Sequence, residues 1–279
     1  MGLTEEDVRN RVASVPYWFH SIDLGHGIVT RGEKTAELLA RELIGLRLPD
    51  LRGKTVLDVN TWDGFYAFEA ERRGASAVTA LDFYMWAMDQ EQHTRYYREC
   101  RVNGVVPKPY HEMPYYLPQE LPGKRGFDVA RQVLDSRVRP IVADFMEIDL
   151  ARLGTFDVVL FLGTLYHMEN PLESLRRLSA VTRELAVIES EAVLLPGVGD
   201  RAVCEFFESN ELNHDVSNWW SPNERALTGM CRAAGFRRVD VLVPPPAPPK
   251  RSRLRALLGG APPAAGSALR YRLVAHAWK

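Results

Sequence analysis

The chain has 279 residues, 46% of them hydrophobic and 25% charged, with 35 basic against 36 acidic side chains. A net charge of −1 gives no global field that would draw it to nucleic acid or an anionic membrane, and no stretch approaches the roughly 20 apolar residues a membrane span needs. Cys100, Cys204 and Cys231 are odd in number and widely spaced without a C-x-x-C, which favours reduced thiols over a disulfide framework or a zinc site; with no apolar signal core at the N-terminus, this points to a cytoplasmic protein of one embellished domain.

In chain order, Thr4 caps a predicted helix through about Ala13, with Glu5, Glu6 and Asp7 in its first turn. Residues Tyr17 to Thr30 combine aromatics with His20, His26, Gly25 and Gly27, the composition of a loop that folds over something or packs its aromatics on the core. A helix follows from Glu33 to about Leu46, with Ala36, Leu38, Leu39, Leu43 and Ile44 as its apolar face.

The stretch from Lys54 to Asp82 organises the rest. Thr55 to Val59 suits a buried strand, Asn60 to Gly64 a tight turn, and the residues after it an amphipathic helix with Phe65, Phe68 and Ala70 inward and Glu69, Arg72 and Arg73 toward water. Gly74 stops the helix, and a second strand, Ala77 to Leu81, ends in Asp82. A strand, turn, helix and strand with a carboxylate at the second strand's tip suits the adenosine end of a cofactor: turn amides line the floor and the acid accepts from ribose hydroxyls. The same residues also suit a plain βαβ unit in which Asp82 caps a helix and Trp62 fills core. Asn60 tolerates a left-handed backbone, so the turn keeps its path without a glycine there.

Beyond Asp82, residues rich in aromatics and methionines run to Cys100, and a proline-containing polar stretch from Val105 to Lys124 follows. Long irregular segments at the carboxyl edge of an α/β sheet tend to serve ligands. Gly126 to Val133 reads as a helix and Pro140 to Asp144 as the third strand. Phe156 to Leu162 is apolar on both faces, as a central parallel strand should be. It ends at Gly163, and a helix from Pro171 to about Val181 and a strand from Leu185 to Ile188 follow, the strand leading into Glu189, Ser190 and Glu191. Ser221, Pro222 and Glu224 mark a helix start with serine as N-cap, and Gly235 marks its end. Phe236 to Pro244 and Leu269 to Trp278 form a final antiparallel pair. Between them a Pro/Gly/Ala-rich segment with Lys250, Arg251, Arg253 and Arg255 reads as a mobile lid.

LDVNTWDGFYAFEAERRGA with TALD, GTLYHMENPLESLRRL, and NWWSPNERALTGMCRAAGF together resemble class I S-adenosylmethionine (SAM) methyltransferases. Over about residues 50 to 245 and the last strand, the chain is similar to the family typified by the bacterial enzyme that carboxymethylates 5-hydroxyuridine at the tRNA wobble position. The W-D-G-F-Y-A-F-E-A-E-R-R-G-A wording resembles members found beside antibiotic and sugar biosynthesis, which act on small molecules. The resemblance implies an α/β, Rossmann-like fold with a mostly parallel seven-stranded sheet and a C-terminal antiparallel hairpin. Residues 1–48 become N-terminal helices and an active-site flap, 49–245 the SAM-binding core with a substrate-covering insert near 84–135, 246–267 a lid or linker, and 268–279 the final strand.

It further implies SAM as cofactor, held by Asp58, Asn60, Thr61, Gly64, Asp82, Asp144, Phe145, Gly163 and Tyr166. Trp18, His20, Tyr166, Glu189, Trp219 and Arg272 face the acceptor, and in the tRNA enzyme the counterparts of Tyr166 and Arg272 hold the extra carboxylate of carboxy-SAM. A hydroxyl acceptor with a pKa far above 7 needs a base. His167, His214 and Glu189 are the candidates, with His214, Asp215 close by, ranked first and His167 second, although for any one histidine a structural hydrogen bond is the commoner role. No tight ligand spacing points to a metal. The expected activity is O-methylation of a small natural-product, sugar or nucleoside hydroxyl. Alternatives are a carboxy-SAM enzyme acting on tRNA, which makes nucleic acid the less favoured partner, and a silent binding protein on the same fold.

Overall fold

The computed structural model of the protein describes residues 3–244 and 268–279. The sequence's lid segment, with its cluster of basic residues, lies outside them.

Helix α1 (Glu5–Ala13) starts in a reciprocal capping box between Thr4 and Asp7. Helix α2 (Ala36–Leu46) begins later than its apolar pattern suggests, because Thr35 is the residue whose side chain caps it, through the N–H of Leu38. Its expected apolar face is also only partly right: Leu39 and Leu46 are buried, whereas Leu38 and Ile44 are exposed. Strand β1 (Thr55–Val59), helix α3 (Phe65–Arg72) and strand β2 (Ala77–Asp82) form the expected unit. Within it Glu69 is buried rather than facing water, since Arg72 and Arg73 both fold onto its carboxylate.

The region after Asp82 is more ordered than its composition suggests. A short helix α4 (Tyr84–Ala87) leads into α5 (Gln90–Asn103), capped by Asp89 and closed by Gly104 in a left-handed conformation. Two single turns of 3-10 helix then precede α6 (Arg125–Val133). Gly123 is required where these segments meet: a Cβ there would lie 2.0 Å from the Met85 carbonyl oxygen. Strand β3 (Arg139–Val142) stops before Asp144, which sits in the turn beyond it.

Helix α7 (Leu150–Leu153), strand β4 (Phe156–Leu162), helix α8 (Pro171–Val181) and strand β5 (Thr182–Leu194) continue the chain. β5 is far longer than expected, so Glu189, Ser190 and Glu191 belong to the strand. Strands β6 (Cys204–Phe206) and β7 (Trp220–Pro222) pair as a small antiparallel ribbon. Ser221 is therefore a strand residue, and the cap of helix α9 (Glu224–Ala233) is Asn223, whose Oδ1 accepts from both Ala226 and Val203. Strands β8 (Arg238–Val243) and β9 (Leu269–Trp278) complete the fold.

The seven-stranded sheet runs β3-β2-β1-β4-β5-β9-β8, parallel except for β9, which is antiparallel to both neighbours. Alternate residues of the central strands enter two cores, Val56, Ala80, Val158 and Leu160 on one face and Leu57, Leu81, Val159 and Phe161 on the other. Strand order reverses between β1 and β4, and a ligand crevice is expected above their carboxyl ends. No helix among the described residues is long and apolar enough to cross a membrane.

Candidate active site

Two loops leave the carboxyl ends of β1 and β4 at the switch point. The first is the turn after β1, where Asn60, Trp62 and Gly64 take positive φ angles of 59°, 55° and 91°. Gly64 is held there sterically as well, because a Cβ would come within 2.6 Å of the Phe68 ring. The turn is tied to both strands beneath it. Asn60 N–H donates to the Leu81 carbonyl at 2.7 Å, and the Thr61 hydroxyl donates to Asp58 at 2.6 Å.

Asp82 is fully buried, and its carboxylate accepts from the N–H groups of Trp62 (2.8 Å) and Met85 (3.1 Å). This differs from the sequence expectation of an acid open to ribose hydroxyls: in this arrangement Asp82 holds the turn and α4 together. Burial pushes the carboxyls of Asp58 and Asp82 up, to about 7 and about 6. Asp144 accepts from the Tyr84 hydroxyl (2.5 Å) and the Met146 amide (2.7 Å), while the adjacent Phe145 ring is buried in the core.

The N-terminal loop lies against this turn. The Phe19 ring stacks on Trp62, and Asp63 accepts from the N–H groups of Phe19 and His20, each at 2.9 Å, and pairs with the His20 ring. His20 is thus occupied in tethering the loop rather than facing an acceptor. Trp18 is corrected too: it is buried in the core, donates to the Val12 carbonyl and packs beside Gly126.

The second loop follows β4. Gly163 has φ 65°, and a Cβ there would meet the Arg272 guanidinium at 3.5 Å, the Tyr166 hydroxyl at 3.6 Å and a Glu189 oxygen at 3.9 Å. The site residues from β4, β5 and β9 converge at this point. The register sets Glu191 opposite Arg272 across β5 and β9. Arg272 clasps Glu189 in a two-pronged ion pair, reaches Glu191 at 3.2 Å and lies 5.0 Å from the centre of the Tyr166 ring. Asn213 donates to the same Glu191 oxygen.

A covering loop between β6 and β7 (residues 207–219) reaches this cluster through Trp219, whose N–H donates to the Tyr166 carbonyl at 2.8 Å. His167 is bonded through Nδ1 to Ser217, and Ser217 in turn to Asp215. Asp215 therefore serves His167, not His214, which is exposed in a left-handed turn of that loop. Sequence reasoning missed Ser217, Asn213 and Asp63. For Asp63 the signal was available: a charged residue inside a turn bounded by left-handed positions needs a partner. A cavity of about 410 Å³ opens among Tyr17, Gln90, Gly123 and Gly126, beside the N-terminal loop and not above Gly163.

A family profile described as "Methyltransferase domain" matches residues 31–241. The tRNA U34 carboxymethyltransferase of Methylococcus capsulatus is 22% identical over 86% of this chain and 62% of its own length. That of Helicobacter pylori strain G27 is 29% identical over 73% of this chain and 64% of its own. The chain thus spans less than two thirds of the length of these curated relatives. Among solved structures, the N-terminal domain of EvdMO1 in the presence of SAH and D-fucose superposes with a TM-score of 0.60 at 15% identity, covering 99% of this chain and 97% of that one.

Proposed function

The chain belongs to the family of SAM-dependent methyltransferases, and on that premise we propose that it transfers a methyl group from SAM to a hydroxyl of a small molecule such as a sugar. SAM supplies a methyl carbon on a positively charged sulfur, open to in-line displacement by oxygen. The residues present fit such a cationic group. The left-handed turn at Asn60 to Gly64 and the open Cα of Gly163 give backbone room, and Glu189 and Glu191, two carboxylates sharing the single Arg272, leave the crevice acidic.

Asp58, Asn60, Thr61, Gly64 and Gly163 line the cofactor side in this reading, with Asp144 and Phe145 at the adenine end. Asp82 fixes the turn from below, and Tyr166, Glu189 and Trp219 border the acceptor. The insert at 84–135 and the stacked Phe19 exclude water from one side. Alignment of the oxygen with the methyl carbon and exclusion of water are the main demands of this reaction.

The observation that carries the choice of SAM is the pairing of Arg272. Its guanidinium is shared by Glu189 and Glu191, so the cluster holds two carboxylates against one cation. A donor bearing an additional carboxylate would meet net negative charge there, whereas a cation is favoured. The carboxymethyl reading keeps one point in its favour, since Tyr166 and Arg272 stand together as the resemblance to the tRNA enzyme implies. The test is incubation with methyl-labelled SAM and a panel of hydroxylated sugars, including D-fucose, nucleosides and bulk tRNA. Label in a small hydroxylated product is expected; label confined to tRNA would overturn the acceptor class.

A further inference from the structure

We propose that His167 is the general base for the acceptor hydroxyl and that Ser217 and Asp215 are positioning residues that lock it in the one tautomer able to accept a proton. The inference rests on the methyl-transfer reading above and deepens it.

The hydrogen bonds dictate the tautomer. His167 Nδ1 lies 3.2 Å from the Ser217 carbonyl oxygen and 2.9 Å from the Ser217 hydroxyl oxygen. A carbonyl oxygen can only accept. The serine hydroxyl has one proton, and it is given to Asp215 Oδ1 at 2.8 Å, an oxygen held in place by the Ser217 N–H at 2.9 Å. Toward Nδ1 the hydroxyl is therefore an acceptor as well. Nδ1 must carry the ring proton, which leaves the lone pair on Nε2.

The location agrees with the role. His167 follows Tyr166 directly, their rings are 4.3 Å apart, and Tyr166 is one of the groups gathered around Gly163. Burial of the imidazole lowers its pKa, and Arg272 on β9 acts in the same sense, while Asp215 on the covering loop and Glu191 on β5 oppose them. The ring is thus held neutral near pH 7, with an anion placed to stabilise it once charged. In the step itself the acceptor O–H bond breaks and its proton passes to Nε2. The oxygen's electron pair forms the bond to the methyl carbon, the carbon–sulfur bond breaks with its pair left on sulfur, and the imidazolium later returns its proton to water.

Two measurements decide the matter. Nitrogen-15 NMR of histidine-labelled protein, with His167 assigned from the His167→Gln variant, is expected to show the Nδ1–H tautomer near pH 7. The Asp215→Asn variant, whose side chain no longer binds the Ser217 proton exclusively, is expected to mix in Nε2–H. With an acceptor identified in the labelling assay, His167→Gln is expected to lower kcat about a hundredfold while SAM affinity stays within about twofold. Asp215→Asn is expected to lower kcat about tenfold and to move the acidic limb of the rate profile to lower pH, because a neutral neighbour no longer raises the imidazole. An Nε2–H tautomer in the wild-type protein, or an unchanged kcat in His167→Gln, overturns the proposal. Failure of the methyl-transfer reading is recognised separately, by the absence of any labelled product while the tautomer is still read.

Discussion

Phe19 lies flat on Trp62, with ring centroids 3.7 Å apart and planes 3° from parallel. The stack joins the N-terminal loop to the turn after β1. It also accounts for a tryptophan held at φ 55°, a region costly for any residue with a Cβ. The ring's contact with Phe19, the Trp62 N–H bond to Asp82 and the bond from Trp86 to the Trp62 carbonyl (2.6 Å) over-determine the position.

This has a measurable consequence. Trp62→Ala removes the ring but keeps the backbone strain, whereas Trp62→Gly removes both. The glycine variant is expected to be the more stable of the two by about 0.5–1 kcal/mol in urea unfolding. An alanine variant of equal or greater stability would mean that the turn is not strained at this residue.

Asp63 is the other link between loop and turn. Asp63→Asn leaves one oxygen where two had accepted from Phe19, His20 and the His20 ring, and it turns an amide group toward donors in a buried site. A loss of about 2–4 kcal/mol is expected in chemical unfolding, together with faster proteolysis near residues 16–34. A change too small to measure would show that the loop is held by its aromatics alone.

Most of the scaffold was legible in the sequence because periodicity and capping chemistry are local. The boundaries of β1, β4 and α8 follow from runs of apolar residues and from Pro171 at the helix start. What was not legible depends on partners distant in sequence. Glu69 looks like a surface residue until Arg72 and Arg73 close over it, and Ser221 looks like a cap until it pairs with Glu205 across the ribbon. The same holds at the site. The histidine that sequence reasoning ranked first, His214, lost its partner Asp215 to Ser217, a contact that only the path of the covering loop creates.

The two buried carboxyls under the turn make stability depend on pH. Asp58 is raised by burial to about 7, from 3.8 in an exposed carboxyl, so the folded state binds a proton that the unfolded state has released between those values. The associated stability is present at low pH and lost as pH rises through the folded value. Asp58→Asn removes this term while keeping an acceptor for Thr61. Wild-type stability minus that of Asp58→Asn is expected to fall by about 2–3 kcal/mol between about pH 5 and pH 8, read from thermal or urea unfolding at each pH. A difference that rises with pH would place the ionised carboxylate, not the acid, in the folded protein.

The most direct test of the central claim is calorimetric titration of the purified protein with SAM and, separately, with carboxy-SAM. Because Glu189 and Glu191 already occupy Arg272, SAM is expected to bind at least about tenfold more tightly than the carboxylated donor. Tighter binding of carboxy-SAM would contradict the methyl-transfer reading and make Tyr166 and Arg272 anchors for the donor's extra carboxylate.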